Sequence, residues 1–455
     1  MNVAEKTSIK RAEIVSALSH ALDITEGQSE GHGVRCAWIG MAVARQIGMD
    51  ETNLGHLYYT LLLKDIGCSS NAARICELYL ADDITFKRDI KSVNDSLPQI
   101  LRFVLSHTGL KAGLSERFRS LLTIFSEGGQ IARELIETRC QRGANIARRM
   151  RFPEDVARGI LDLDEHYDGS GKPDGLSGGS ISIHARIALM AQVIDVFNTG
   201  GGRVAAQREI ALRSGNWFDP ALCKAFAEVS ENDRFWDALA SQSLQRMVVR
   251  LAPDREGETV DEDYLDEIAA AFADVVDSKS PYTAGHSDRV ALFTDMIAEE
   301  MALSPERRRF LKRAALLHDI GKLGVSNQIL DKAGKLTEEE WQAVRQHPAQ
   351  SRTILSRIEA FQELARIAGD HHEKLDGKGY PRGIFGDEIM LETRIITVAD
   401  IFDALTAQRP YRAAMPVSQA FEIMRKEVGT GLDVRCFSAL ERAMARVGQS
   451  LKLAS

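Results

Sequence analysis

Apolar side chains recur every three or four positions along most of this chain, the spacing that places them on one face of an α-helix. One such segment begins at Ser304-Pro305, an N-cap residue followed by proline at the first helical position. Its apolar residues are Phe310, Leu311, Ala314 and Leu317. Gly321 follows where a helix would stop, so His318 and Asp319 are expected at the helix end. The pattern as a whole predicts an all-α fold.

The same periodicity predicts where three other histidines lie. His286 belongs to an apolar helical stripe and is expected to face inward. The other members of that stripe are Val290, Phe293 and Ile297. Thr337 and Glu340 have the spacing of a capping box, which predicts a short helix that ends near His347. A later helix, with apolar residues Leu364, Ile367 and Ala368, leads to His371.

The chain also contains an internal repeat. When His32 is aligned with His286, the segment Lys64-Asp65-Ile66-Gly67 aligns with His318-Asp319-Ile320-Gly321, because 32 residues separate the two motifs in both copies. The alignment continues to the segments 168–173 and 376–381. The first copy has a lysine where the second has the histidine of its His-Asp pair.

These features predict two helical bundle domains in tandem. The first, residues 1–205, carries an insertion near 70–135, because its motifs are further apart there than those of the second copy. A helical connector and linker is expected at 206–260, and the second domain at 261–455. The glycine run Thr199–Gly202 and the polar run 253–258 are the predicted hinge and linker.

Composition limits the class of protein. The 455 residues are 44% hydrophobic and 27% charged, as in soluble globular proteins. Neither a signal peptide nor a membrane span is apparent, so a cytoplasmic location without membrane association is expected. The formal charge of −8 argues against a DNA or RNA polymer as partner. The six cysteines form no CxxC pair, so neither a zinc knuckle nor a disulfide framework is predicted.

The candidate chemistry comes from the histidines of the second copy. All five lie within short motifs that also contain aspartates and a lysine: His286, His318, His347, His371 and His372. One buried histidine alone is usually a core residue. Five placed at helix ends and inner faces, together with Asp319 and Asp400, are typical of a site for two divalent metals. The expected chemistry is hydrolysis of a phosphate ester, with Lys322 close enough to contact a phosphate oxygen.

These motifs resemble those of the HD-GYP phosphodiesterases. The resemblance rests on the segments 318–322, 371–373 and 379–381, and covers roughly residues 270–415. It implies that the second copy is a catalytic all-helical HD-GYP domain with a binuclear centre, iron or manganese. The implied activity is hydrolysis of cyclic di-GMP to pGpG and GMP.

The resemblance also implies roles for individual residues. His286, His318, Asp319 and Asp400 would hold one metal, Asp319 would bridge, and His347, His371 and His372 would hold the second. Asp319 and Lys322 would be catalytic. The substrate-binding residues would be Lys322, Asp376, Gly377, Gly379, Tyr380, Pro381 and Arg382. Tyr282 stands where some members have a glutamate for a third metal, so two metals are expected.

The first copy resembles a degenerate HD-GYP domain. It keeps His32, Asp65 and Asp195, but the other ligand positions and the phosphate lysine are replaced by Lys64, Cys68, Arg139, Leu163 and Asp164. Too few ligands remain for two metals. We expect this copy to pack against or regulate the second, or to form a homodimer.

Three alternatives to cyclic di-GMP hydrolysis stay open at this point. Tandem HD-GYP chains with a degenerate first copy also occur among phosphodiesterases specific for 3'3'-cyclic GMP-AMP. HD scaffolds also support oxygen chemistry at a di-iron centre, although Lys322 and the GYP segment favour the phosphodiester. Finally, the chain could be a non-enzymatic cyclic-dinucleotide receptor.

Overall fold

The computed structural model of the protein describes residues 10–454 except 92, 94–96, 111, 254–259 and 409–411. Most of the linker predicted at 253–258 therefore lies outside the described residues. The chain divides into two compact units, Met1–Tyr264 and Leu265–Ser455, which we call the N-terminal unit and the C-terminal unit.

The N-terminal unit is built around helices α2, α3 and α9, which pack on one another. The predicted hinge is a break inside α9, where Gly202 has a φ of 78°. Helices α10 and α12, from the predicted connector, pack against α2 and belong to this unit. Its helices are α1 (Arg11–Thr25), α2 (His32–Gln46), α3 (Glu51–Leu63), α4 (Ala72–Tyr79), α5 (Asp83–Ile90), α6 (Leu97–His107), α7 (Leu114–Arg149), α8 (Glu154–Leu161), α9 (Ile183–Leu212), α10 (Pro220–Ser230), α11 (Asp233–Leu239) and α12 (Leu244–Val249).

The C-terminal unit is centred on α14, which packs against α15, α20 and α22. Helix α18 packs against α19 and against the 3₁₀ turn Ile320–Gly324. The helices are α13 (Glu262–Asp277), which begins just before the boundary, α14 (His286–Glu300), α15 (Pro305–Leu317), α16 (Asn327–Leu330), α17 (Glu338–Arg345), α18 (His347–Leu355), α19 (Gln362–Asp370), α20 (Leu391–Thr406), α21 (Val417–Arg425) and α22 (Val434–Ala454).

Among the described residues there are isolated β-bridges but no β-strand, and the predicted all-α fold of two helical bundles is confirmed. The predicted caps are formed: Ser304 Oγ accepts from Arg307 N, and Thr337 and Glu340 make a capping box. Within the described ranges, no helix is both long and apolar enough to span a bilayer.

Helix ends bring the candidate ligands together. Helix α15 ends just before His318, and α18 begins at His347. The turn after α15 lies directly on α18: a Cβ added to Gly321 would be 2.0 Å from the carbonyl oxygen of His347. Only glycine permits this close approach. Gly67 of the first copy makes the same contact, 2.0 Å from the carbonyl oxygen of Arg139.

Candidate metal centre

The backbone fixes the orientation of three histidine rings. Each Nδ1 lies 2.6 Å from the carbonyl oxygen three residues earlier, an arrangement made by His318 with Ala315, His347 with Val344, and His371 with Ala368. Nδ1 must carry the proton to donate to a carbonyl. The lone pair of each Nε2 is thereby left for a metal, as is usual for histidine ligands.

A carboxylate orients the fourth ring. His286 Nδ1 lies 2.7 Å from Oδ2 of Asp403, and Arg289 Nε donates to the other oxygen of Asp403. Sequence reasoning did not assign this role to Asp403. The available signal was that Asp403 follows Asp400 by three residues on α20, so the two carboxylates lie on the same side of the helix.

Asp319 lies between two pairs of imidazoles. Its Oδ2 is 3.3 Å from Nε2 of both His286 and His318. Its Oδ1 is 3.2 Å from Nε2 of His347 and 3.7 Å from Nε2 of His371. One carboxylate therefore presents a separate oxygen to each side of the cluster, the arrangement that bridging two cations requires.

The remaining predicted ligands lie at the two ends of this arrangement. Asp400 Oδ1 is 3.4 Å from His286 Nε2. At the other end, the His372 ring is 5.0 Å from that of His347, centroid to centroid. Lys322 forms an ion pair with Asp319.

The donor set fits a pair of metal ions. Two atoms that bind the same ion at about 2.1 Å lie roughly 3 to 3.5 Å apart. Three of the four imidazole nitrogens around Asp319 lie 3.2 or 3.3 Å from its oxygens. His286 Nε2, His318 Nε2 and Asp319 Oδ1 are buried without a hydrogen-bond partner among the described residues. Such unsatisfied buried atoms are costly unless something else coordinates them. Three overlapping groups could each hold an ion: His286, His318 and Asp400; His318, Asp319 and His371; His347, His371 and His372.

Charge is distributed unevenly over the cluster. Burial opposes a charge on His286, but the contacts with Asp319, Asp403 and Asp400 together outweigh burial and raise the pKa of His286 to about 9. Burial and neighbouring histidines lower the pKa of His371 to about 3. Burial would raise the pKa of Asp319, but the neighbouring His318 and Lys322 hold it well below its usual value. The centre therefore has an ionised carboxylate that favours cations around it.

Glu373, another residue without a predicted role, holds the loop of residues 376–384, which contains Gly379, Tyr380 and Pro381 and which we call the GYP loop. Its buried carboxylate accepts hydrogen bonds from three consecutive backbone N–H groups of the loop, Arg382 at 2.6 Å, Gly383 at 3.1 Å and Ile384 at 3.2 Å. The ring of Tyr380 lies 4.9 Å from that of His372, so the loop closes over one end of the cluster.

The other predicted substrate-binding side chains are engaged close to the loop. Asp376 accepts from the backbone N of Lys378 at 3.1 Å, and the Arg382 guanidinium pairs with Asp370 at 3.0 Å. Gly379 packs against backbone, since a Cβ there would meet Lys374 N at 2.3 Å. Gly377 and Pro381 complete the loop. Tyr380 is thus the loop residue that contacts a candidate metal ligand.

In the N-terminal unit an ammonium fills the corresponding centre. Lys64 Nζ is 3.1 Å from Nε2 of His32 and 3.1 Å from Oε1 of Gln192, and it forms a buried ion pair with Asp65. Burial and the charge of Lys64 lower the pKa of His32 to about 4, so this imidazole is neutral and accepts from the ammonium. A fixed side-chain cation therefore satisfies the groups that would otherwise face a metal.

The insertion supplies further cations to this site. Lys91, which follows α5, lies 2.9 Å from Glu26 and 3.8 Å from Asp65. Lys87 on α5 lies 3.7 Å from Glu26. Arg139, at the position of a histidine in the other copy, pairs with Asp164. The sequence alone assigned no role to the insertion because these contacts join residues far apart in the chain.

Asp195, which the sequence predicted to be a ligand position kept by the first copy, does not lie where Asp400 lies in the second. Asp195 lies 2.7 Å from Nδ1 of His32, the contact that Asp403 makes in the C-terminal unit. Gln192, one helical turn earlier, occupies the position of Asp400. The first copy therefore has glutamine where the second has the carboxylate of Asp400, and Asp195 orients the His32 ring.

Comparison with known proteins identifies the family. The sequence profile described as HD domain matches this chain twice, over residues 112–222 and 270–435. The chain belongs to the HD domain family. Each unit of this HD domain protein carries one match, and the predicted assignment to a tandem HD-GYP phosphodiesterase is confirmed.

Similarity to two proteins extends over nearly the whole HD domain chain. It is 52% identical over 444 residues to the 3'3'-cGAMP-specific phosphodiesterase 3 of Vibrio cholerae serotype O1, covering 98% of this chain and 96% of that protein. A crystal structure of a cyclic GMP-AMP specific phosphodiesterase of V. cholerae, V-cGAP3, matches with a TM-score of 0.67 and 46% identity, covering 95% and 97% of the two chains. The prediction of a phosphodiesterase is confirmed.

The prediction of cyclic di-GMP as the main substrate is contradicted by these matches. RpfG, a cyclic di-GMP phosphodiesterase response regulator of Xanthomonas campestris pv. campestris, is 37% identical but matches 40% of this HD domain chain and 49% of its own length. The motifs could not distinguish the two substrates, because metals and phosphate-binding residues address a phosphodiester that every cyclic dinucleotide contains.

Proposed function

We propose that the C-terminal unit hydrolyses a phosphodiester bond of 3'3'-cyclic GMP-AMP at a binuclear metal centre. The observation that carries the proposal is the position of Asp319, whose two oxygens face His286 and His318 on one side and His347 and His371 on the other. The full-length similarity to a 3'3'-cGAMP-specific phosphodiesterase supports the choice of substrate.

Seven side chains would hold two ions, and iron or manganese suits their mixture of imidazole nitrogen and carboxylate oxygen. His286, His318 and Asp400 would hold the first, His347, His371 and His372 the second, and Asp319 would bridge them. Such ions neutralise charge on the reacting phosphate and lower the pKa of bound water towards neutrality.

The protein's own groups then position the substrate. The Lys322 side chain is 18% exposed and its ammonium pairs with Asp319, so it would bind a phosphate oxygen beside the centre. Asp403 keeps the His286 ring in one orientation, and Glu373 fixes the loop that carries Tyr380. These contacts pre-organise the centre before substrate arrives.

The N-terminal unit would have no hydrolytic role. Lys64 and the cations of the insertion satisfy its carboxylates, so this unit would keep its fold without metal. We assign it a structural or regulatory function in the full-length protein.

Product chromatography tests the proposal. Full-length protein loaded anaerobically with Fe²⁺ or Mn²⁺ is incubated with 3'3'-cGAMP or cyclic di-GMP, beside chelator-treated protein. Faster linearisation of 3'3'-cGAMP, abolished by the chelator, is expected. If both substrates remain intact with either metal, the proposed function is wrong. Equal rates of hydrolysis of the two substrates would contradict the proposed specificity for 3'3'-cGAMP.

A further inference from the structure

Arg345, the last residue of α17, lies near two aromatic rings beside the candidate metal centre. Its Cζ is 5.5 Å from the ring centroid of Tyr380 and 5.8 Å from that of Trp341. In the part of the chain that the structure describes, the Arg345 side chain makes neither a hydrogen bond nor an ion pair, whereas Arg307, Arg308 and Arg309 of α15 all pair with carboxylates. The guanidinium thus makes cation–π contacts with two rings, while its five N–H donors stay available.

Helix α17 contributes no buried residue to the hydrophobic core. None of its residues is buried, and Trp341 is 44% exposed. The helix is instead fixed at its start, where Thr337 and Glu340 form a capping box and Lys332 binds the Glu340 carboxylate at 2.6 Å. A large exposed aromatic side chain on a fixed helix is a surface available for stacking.

This surface is continuous with the candidate metal centre. Tyr380, which contacts Arg345, has its ring 4.9 Å from the ring of His372. Arg345 also precedes His347 by only two residues, so the ligand and the guanidinium share one short stretch of backbone. In a nucleotide the base is one sugar away from its phosphate. A diester held at the metals would therefore place a base beside the cluster, where α17 lies.

We infer that Arg345 and Trp341 form the base-recognition site for the substrate, a step that rests on the proposed function. Arg345 donates two hydrogen bonds to O6 and N7 of guanine, and Trp341 stacks on a purine ring. Guanine presents two acceptors, O6 and N7, to the paired N–H donors of the guanidinium. Adenine presents an amino donor next to N7, and the guanidinium has no acceptor for that donor. Stacking on tryptophan does not distinguish purines, so Trp341 contributes affinity and Arg345 specificity.

The test compares kcat/KM for 3'3'-cGAMP, cyclic di-GMP and cyclic di-AMP, with bis(p-nitrophenyl) phosphate as a diester without a purine. Arg345→Ala is expected to lower kcat/KM for both guanine-containing substrates about tenfold or more relative to bis(p-nitrophenyl) phosphate. The preference of this variant for the two guanine-containing substrates over cyclic di-AMP should be smaller than that of the wild type. Arg345→Lys should not restore it, because an ammonium lacks the planar fork.

Two variants of Trp341 separate stacking from damage to α17, and an arginine variant outside α17 is the control. Trp341→Ala should raise KM for all three dinucleotides alike, and Trp341→Phe should recover most of the loss. Arg366→Ala, which removes an exposed arginine from α19, is the matched control and should leave the base preference unchanged.

The inference is overturned if wild-type enzyme cleaves the dinucleotides and the Arg345 variants have the same kcat/KM values as wild type for all three. It is also overturned if Arg345→Ala loses bis(p-nitrophenyl) phosphate activity to the same extent as dinucleotide activity. Wild-type protein that cleaves bis(p-nitrophenyl) phosphate but no cyclic dinucleotide would instead refute the proposed function, and with it this inference.

Discussion

The ammonium of Lys64 lies 3.1 Å from Nε2 of His32 in the N-terminal unit. The corresponding atom of the C-terminal unit, Nε2 of His286, faces Asp319 and Asp400 instead. In the first copy, the lysine ammonium thus provides the hydrogen-bond partner of the buried His32 ring. The other leaves the equivalent atom without a hydrogen-bond partner among the described residues. This contrast supplies matched pairs of positions for experiments, because each variant of the second copy has a control in the first copy.

Asp319→Asn should remove both metals and lower turnover by about a hundredfold or more, because the bridging carboxylate contributes an oxygen to each ion and even outer-shell losses cost 10- to 100-fold. The measurement is metal content per chain by elemental analysis, with turnover of 3'3'-cGAMP. Asp65→Asn, the matched change in the N-terminal unit, should leave the metal content intact. Equal loss of metal from both variants would contradict the division between the two copies.

Asp403→Asn should weaken metal binding about tenfold, because a neutral amide supports the Nδ1 proton of His286 less well than a carboxylate and makes Nε2 a poorer ligand. The readout is activity as a function of Mn²⁺ concentration, where a higher half-saturation with a similar maximum is expected. Asp195→Asn makes the same change against His32 and should not move the curve. A metal dependence unaltered by Asp403→Asn would show that the contact is not needed for ligation.

Glu373→Gln should lower kcat/KM about tenfold while both metals remain bound. A glutamine offers one acceptor oxygen where the carboxylate binds three backbone N–H groups of residues 382–384, so the loop loses at least one hydrogen bond. Hydrogen exchange at 382–384, measured with metal content, checks this. Glu165→Gln, which loosens the corresponding loop at 174–176, is the control. Slow exchange retained at 382–384 would argue against this role.

Lys64→Met should destabilise the N-terminal unit by about 3 kcal/mol. The change leaves the buried Asp65 carboxylate without its closest cation, and breaking a buried ion pair from one side is costly. The free energy of unfolding of the full-length chain, followed by denaturant titration, measures the effect. The double variant Lys64→Met with Asp65→Leu should recover most of it, since both charges are gone. A single variant as stable as wild type would show that Lys91 alone compensates.

The sequence by itself determined the local structure and most of the chemistry. The 3.6-residue periodicity and the Ser304 and Thr337 caps placed the helix ends next to His318 and His347, because these signals depend on neighbours within one or two turns. The spacing of the motifs also predicted the tandem repeat. The motifs were insufficient for the substrate, because they address the phosphate rather than the bases.

Tertiary structure decided which carboxylate does what. Asp400 and Asp403 are one helical turn apart, so spacing alone could not show that the second orients His286, nor that Asp195 corresponds to it rather than to a ligand. The role of Glu373 depends on the fold of the loop, which places the backbone N–H groups of residues 382–384 against its carboxylate. The role of Lys91 likewise depends on the packing of the insertion against Glu26. Contacts between residues distant in sequence depend on how the helices pack, and no local pattern records that packing.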